Sequence, residues 1–291
     1  MLKSLRESEI DFIDFIFGGP FNLSPGQFTD DSEMGLAIMS VLNEKGYYDV
    51  EAVAKSYHQW YDSGPYDIGN ATSAAVSKSS ASKMKFIANT TNKTSLSNGF
   101  LMRLPFLISF YYNKDPRELL NAIDEDVQLT HGHNEAKIIA SIYGMMLFRA
   151  INGVTADEIY KWGHKKSENS TLFKEIYRAV ENNTNYFDYD GKVFYFQDID
   201  SKFCGFVGFA IWLLLLCLKQ HTSYKDAILE VVSFGGDTDS NSTIIGAVMG
   251  ALYPHTIPKE WINSVLTYKD AKRFNKYPIA DPKVWMKWMP V

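Results

Sequence analysis

Cysteine is almost absent: only Cys204 and Cys217 occur in 291 residues, thirteen apart around an apolar stretch, with no CxxC spacing and no His close by. That excludes a disulfide framework, argues against a zinc site, and fits a reducing intracellular compartment. An excess of basic residues is also missing. With 29 Lys and Arg against 34 Asp and Glu, the net charge is -5 and the pI near 5.7, which argues against nucleic-acid binding through a broad basic face. The apolar run from Phe203 to Leu218 falls short of the ~20 residues that span a bilayer, so it predicts a buried core helix and no membrane attachment. Met1 to Asp14 mixes charges of both signs and lacks the apolar stretch of a secretory signal. No Pro/Ser/Gly-rich linker divides the chain, and 46% hydrophobic residues can fill a substantial core. The expectation is one domain over residues 1–291 of a soluble cytoplasmic protein.

Helical periodicity dominates what is there. Met34, Ala37, Ile38, Val41 and Leu42 mark one face of a helix that begins at an acidic cluster and stops near Gly46. Further helices are predicted over 53–60, from Asp115-Pro116 to about Asp124, over 134–150, 155–162, 172–181, from Gly205, over 224–232, 239–252, and from Pro258 onward. Residues 64–72 read as loop, 77–97 as a polar surface stretch, and 193–196 as the one plausible strand. The fold class is therefore all-α, a compact orthogonal helical bundle. Gly246 and Gly250 sit inside a helix at a cost of ~1 kcal/mol each relative to Ala, which predicts close approach to a neighbour.

Chemistry concentrates in two places. Thr29-Asp30-Asp31-Ser32 and Gly235-Gly236-Asp237-Thr238-Asp239-Ser240-Asn241 each put carboxylates and hydroxyls where a loop gives way to a helix. Oxygen-only sets on short side chains suit Mg²⁺, Mn²⁺ or Ca²⁺, and four Asp together would repel one another without a cation. The plainer alternative is that both are helix caps, although a cap needs one oxygen and each cluster offers at least three. The metal reading expects the clusters to share one site despite roughly two hundred intervening residues, because neither alone fills the octahedral sets such cations prefer. Asp67, in a loop, could act as a base, pair with a guanidinium, or start an Asx turn before Gly69. Asn98-Gly99 could offer exposed backbone N–H groups to a diphosphate or form an ordinary tight turn. Arg103 is expected to pair with an acid. His131 and His133, two apart, do not share a helix face, and a satisfied structural histidine is the expectation for each.

Several stretches together resemble the ADP-ribosylglycohydrolase family, which includes dinitrogenase reductase-activating glycohydrolase and the ADP-ribosylarginine and ADP-ribosylserine hydrolases. They are Pro25 to Met34, Asp67-Ile68-Gly69-Asn70, Ser97 to Arg103, Thr130-His131, and Gly235 to Gly250, in the family's order. The resemblance implies an all-α domain holding two Mg²⁺, or Mn²⁺, through Thr29, Asp30, Asp31, Asp237, Asp239 and Ser240; the family usually has Thr where Ser240 stands. It implies a cleft lined by Asp67, Gly69, Asn98, Gly99, His131, Gly235 and Gly236, with Asp67, Asp31 and Asp239 as the catalytic groups. The implied activity is hydrolysis of the bond between ADP-ribose and a modified side chain, arginine first, with ADP-ribose or an ADP-ribosylated protein as partner. Asp67 matches an Asp of the members acting on ADP-ribosylarginine. One departure concerns the family's N-terminal helix with its Gly-Asp-Ala-x-Gly motif and following Glu: the chain starts too late for it, and neither Glu7 nor Glu9 sits in such a motif. A non-catalytic ADP-ribose-binding or structural member, like the lens crystallins of this fold, is the competing expectation.

Overall fold

The structure is a computed structural model that describes residues 15–220 and 222–288, so Glu7 and Glu9 lie outside the described residues. The chain forms two units, each with its own core. The first takes in residues 15–95, 102–133 and 258–288; the second takes in 96–101 and 134–257.

The first unit opens with α1 (Asp30–Lys45), whose apolar positions at 34, 37, 38, 41 and 42 are buried. It stops where the sequence predicts, because Gly46 takes φ 76° and returns its N–H to Leu42 O at 2.8 Å. Next come α2 (Val50–Asp62), α3 (Asn70–Val76), α4 (Ala81–Asn89), α5 (Leu104–Phe110) and α6 (Pro116–Val127). Gly35 lets α1 meet α5 closely, since a Cβ there would collide with the Phe106 ring. Two buried ion pairs brace this unit. In one, Arg103 donates to Asp126 at 2.7 Å, both side chains being inaccessible, and Tyr57 and Tyr48 donate to the same carboxylate at 2.8 and 3.1 Å. The expected acid partner of Arg103 is thus Asp126. Such a pair offsets its desolvation only when its remaining hydrogen-bonding groups are also satisfied, as the two phenols do here. The other joins Arg273 to Glu33.

The second unit holds α7 (Asn134–Ile151), α8 (Ala156–Ser167), α9 (Thr171–Glu181), β1 (Tyr186–Tyr189), β2 (Lys192–Tyr195), α10 (Val207–Gln220), α11 (Tyr224–Ser233) and α12 (Thr238–Leu252). Every residue of α10 from Val207 to Leu218 is buried, as its unbroken apolarity requires. The strand expected at 193–196 exists one residue earlier, and it pairs antiparallel with β1, setting Phe187 opposite Phe194. The close approach is modest and confined to Gly246, where a Cβ would lie 3.3 Å from Ile228 Cδ1 and 3.4 Å from the Tyr224 ring of α11; at Gly250 a Cβ would make only ordinary contact with that ring, at 3.5 Å. The chain then returns to the first unit with α13 (Lys259–Thr267), α14 (Ala271–Lys276) and α15 (Pro282–Trp285). No helix among the described residues is long and apolar enough to cross a membrane.

Candidate active site

The second unit builds its acidic cluster on two glycines. Gly235 and Gly236 take φ 75° and 74°, the left-handed region, and a Cβ on either would fall 2.5 Å from Asp200 Oδ1 or Ile199 O respectively. Only glycine passes here. The turn delivers Asp237 to the N-cap of α12, and the Gly236 N–H donates to the Asp200 carboxylate. Asn98 holds Asp237 from the other side, its Nδ2 donating to Asp237 Oδ2 at 2.9 Å and to Asn241 Oδ1 at 3.4 Å. Asn98 itself is fixed by a short bridge, its N–H donating to Gly205 O at 2.8 Å while Val207 N–H donates to Leu96 O at 2.9 Å.

Burial, and then the hydrogen bond shared with Asp239, push the Asp237 carboxyl up to about 6, although the Asn98 amide pulls the other way. Asp239 is exposed and Ser240 buried. Nδ2 of the fully buried Asn241 has no hydrogen-bond partner.

In the first unit Thr29, Asp30 and Asp31 are buried at the start of α1. The neighbouring Glu33 serves the core instead. Arg273 grips it bidentately at 2.7 and 2.6 Å, and Trp60 Nε1 donates to it at 2.7 Å, so its charge is balanced internally. Asp270 ties two loops together, accepting from Gln27 Nε2 at 2.9 Å and from the Tyr66 hydroxyl at 2.7 Å. Gln27 precedes Thr29 and Tyr66 precedes Asp67, so one carboxylate steadies both candidate segments. Asp67 is half-buried, with Oδ1 accepting the Ile68 N–H at 2.8 Å, and Gly69 is the exposed N-cap of α3.

Neither cluster caps its helix through the side chain of its N-cap residue. Thr29 and Asp237 occupy N-cap positions, yet neither side chain accepts a capping hydrogen bond. Elsewhere in the chain Asp49, Asp115, Thr155, Ser170, Ser223 and Asp270 do, whereas Ser80 at the start of α4 does not. The side-chain oxygens of Thr29 and Asp237 are not spent in that way. Their donor chemistry, carboxylate and hydroxyl oxygen without sulfur or imidazole, fits a hard divalent cation. Within either unit, among the described residues, no three Asp, Glu, His or Cys side chains converge as a ready ligand cage.

Two of the residues that the resemblance sets in the cleft lining are turned inward. Asn98 does not offer its backbone N–H outward, because that group is spent on Gly205 and the side chain on Asp237; it orients an acid. His131 is fully buried, its Nδ1 2.8 Å from the Thr130 hydroxyl, which in turn accepts from Arg103 Nη2 at 2.9 Å. It supports its unit from inside, as a structural histidine, and touches no solvent. Gly99 is half-buried in the short 3₁₀ turn Asn98–Phe100. Asp200 carries no sequence signal of its own, and Asp270 reads locally only as the cap of α14; their ties to Gly236 and to Gln27 and Tyr66 come through contacts distant along the chain.

A family model described as ADP-ribosylglycohydrolase matches residues 2–286. A protein of Acanthamoeba polyphaga mimivirus that carries the name of an ADP-ribosyl glycohydrolase is 48% identical over 279 residues, covering 94% of this chain and 84% of its own. An ADP-ribosylarginine hydrolase of Serratia proteamaculans is 24% identical, covering 91% of this chain and 70% of its own. The ADP-ribosyl-[dinitrogen reductase] glycohydrolase of Rhodospirillum rubrum is 23% identical, with 85% and 76% covered. Among solved structures, an ADP-ribosylglycohydrolase-related protein complex superposes with a TM-score of 0.68 at 22% identity, covering 98% of this chain and 90% of that one, a likeness of fold.

Proposed function

The chain belongs to the ADP-ribosylglycohydrolase family and is an enzyme of that family, and we propose that it releases ADP-ribose from modified arginine in a reaction that depends on two Mg²⁺ ions, with Mn²⁺ as a substitute. The metal dependence rests on the placement of Thr29 and Asp237 at helix starts with their side-chain oxygens withheld from capping. Thr29, Asp30 and Asp31 of the first unit and Asp237, Asp239 and Ser240 of the second would hold the ions. When bound, Mg²⁺ supplies Lewis acidity and a template for ribose hydroxyls and water.

The remaining work falls to the chain's own residues. Cleavage of a glycosidic bond builds positive charge on the ribosyl carbon, and the carboxylates of Asp31 and Asp239 offset it. Asn98 fixes the orientation of Asp237, so that this charge is preset before substrate arrives. Asp67 pairs with the guanidinium leaving group through a charge-assisted contact, and arginine is chosen over serine on that account. Support for arginine comes also from the Serratia relative, whose name states that acceptor.

Calorimetric titration with Mg²⁺ tests the ligand assignment. Asp239→Ala is expected to weaken Mg²⁺ affinity by at least about tenfold, ~1.4 kcal/mol, while the melting temperature of the metal-free protein stays near wild type. Unchanged affinity would leave Asp239 a helix-start residue only.

A further inference from the structure

No Asp or Glu occurs between Asp67 and Asp115, whereas Lys78, Lys83, Lys85, Lys93, Arg103 and Lys114 do, in a chain of net charge -5. Some of this local positive charge is used internally: Arg103 by Asp126, Lys85 by Glu125. Among the described residues Lys78 and Lys83 form no ion pair, and they flank one another across the start of α4. That helix buries Ala81, Met84 and Ala88 and turns Lys83 and Phe86 outward, leaving Phe86 66% exposed. Lys78, Ser82, Lys83, Phe86 and Ile87 line an open groove of about 330 Å³. The acids that reach α4 from other elements are committed, Glu51 to the Ala81 N–H at 3.0 Å and Glu125 to Lys85.

We propose that this groove docks a short acidic segment of a partner protein, one apolar side chain resting on Phe86 and Ile87 and carboxylates meeting Lys78 and Lys83. Charge decides the occupant. An apolar floor with ammonium groups at its rim and no carboxylate in its lining attracts a segment that is itself apolar at one position and acidic around it, and repels a basic one. Phe86 leaves most of its ring in water beside Lys78 and Lys83, and that apolar area is open to a partner. The groove is independent of the hydrolase chemistry and needs no metal.

Fluorescence anisotropy with a short fluorescein-labelled peptide, a single Leu flanked by Glu and Asp, tests this on the full chain. Wild type is expected to bind, with affinity falling as salt rises. Lys78→Glu with Lys83→Glu, and separately Phe86→Ser, should each weaken binding about tenfold or more with unchanged circular dichroism. Lys83 and Phe86 are exposed and Lys78 half-buried, and none of them belongs to the buried face of α4. Failure of wild type to bind, equal binding by the variants, or peptide binding that survives while binding to phosphatidylserine vesicles is lost in those variants would overturn the proposal.

Discussion

Single residues divide here into those whose chemistry their neighbours in sequence announce and those defined by partners far away. The acidic clusters announce themselves, because a cap needs one oxygen and these segments carry several. Asp270 does not: Gln27 lies 243 and Tyr66 204 positions away from it, and nothing in the local sequence 267–273 marks the tie. Asp67 is legible as a loop acid, and its role is testable by charge alone. Asp67→Asn keeps the shape and removes the charge, so turnover of arginine-linked ADP-ribose should drop roughly ten- to a hundredfold, with a serine-linked substrate spared. Equal slowing on both linkages would make Asp67 a base or a structural residue.

His131 supplies a pH prediction of the same kind. Burial first, then the Arg103 charge, lower its pKa from 6.5 to about 3. Between those values the unfolded chain binds the proton and the folded chain does not. Its contribution is therefore complete above about pH 6.5 and is lost progressively as pH falls toward 3. Urea unfolding should lose about 2 kcal/mol of stability from this group between about pH 7 and about pH 5. His131→Gln should remove that share of the slope; an unchanged slope in the variant would contradict the assignment.

Elements are legible wherever a long apolar stripe meets a clear stop. α1 ends at Gly46 and α10 is buried from Val207 to Leu218, both as their sequences dictate. The shorter pieces escape for physical reasons. α5, Leu-Pro-Phe-Leu-Ile-Ser-Phe, is apolar on nearly every side and too brief for a period to be read, and β1 has four residues. In 77–97 the apolar positions of α4 are outnumbered by Ser, Thr and Lys, which hide its one buried face. Glycines separate two kinds of element constraint. Gly246→Ala places a Cβ 3.3 Å from Ile228 Cδ1, a movable methyl, and recovers helix propensity of ~1 kcal/mol, so chemical denaturation should find it within about 1 kcal/mol of wild type. Gly236→Ala meets the Ile199 carbonyl at 2.5 Å with φ 74° and should cost more than about 2 kcal/mol, with Mg²⁺ affinity falling too because the turn that carries Asp237 moves. Equal effects of the two changes would mean that the turn is not strained against its neighbour.

Across the full chain, the all-α class follows from helical periodicity along nearly its entire length, and the matching family model runs over 2–286. The partition into two units is hidden from the sequence, because the chain leaves the first unit at residue 96, re-enters it at 102, departs again at 134 and returns at 258, with no linker composition at any crossing. Each unit carries one oxygen cluster, and the proposed activity calls on both. The most direct measurement is release of free ADP-ribose from arginine-, serine- and cysteine-linked ADP-ribosyl peptides by chelator-treated protein, with and without added Mg²⁺. Release from the arginine-linked peptide first, restored by Mg²⁺ and abolished by EDTA, is the expected result; release indifferent to EDTA, or none from any linkage with Mg²⁺ present, would contradict a metal-dependent hydrolase of ADP-ribosylarginine.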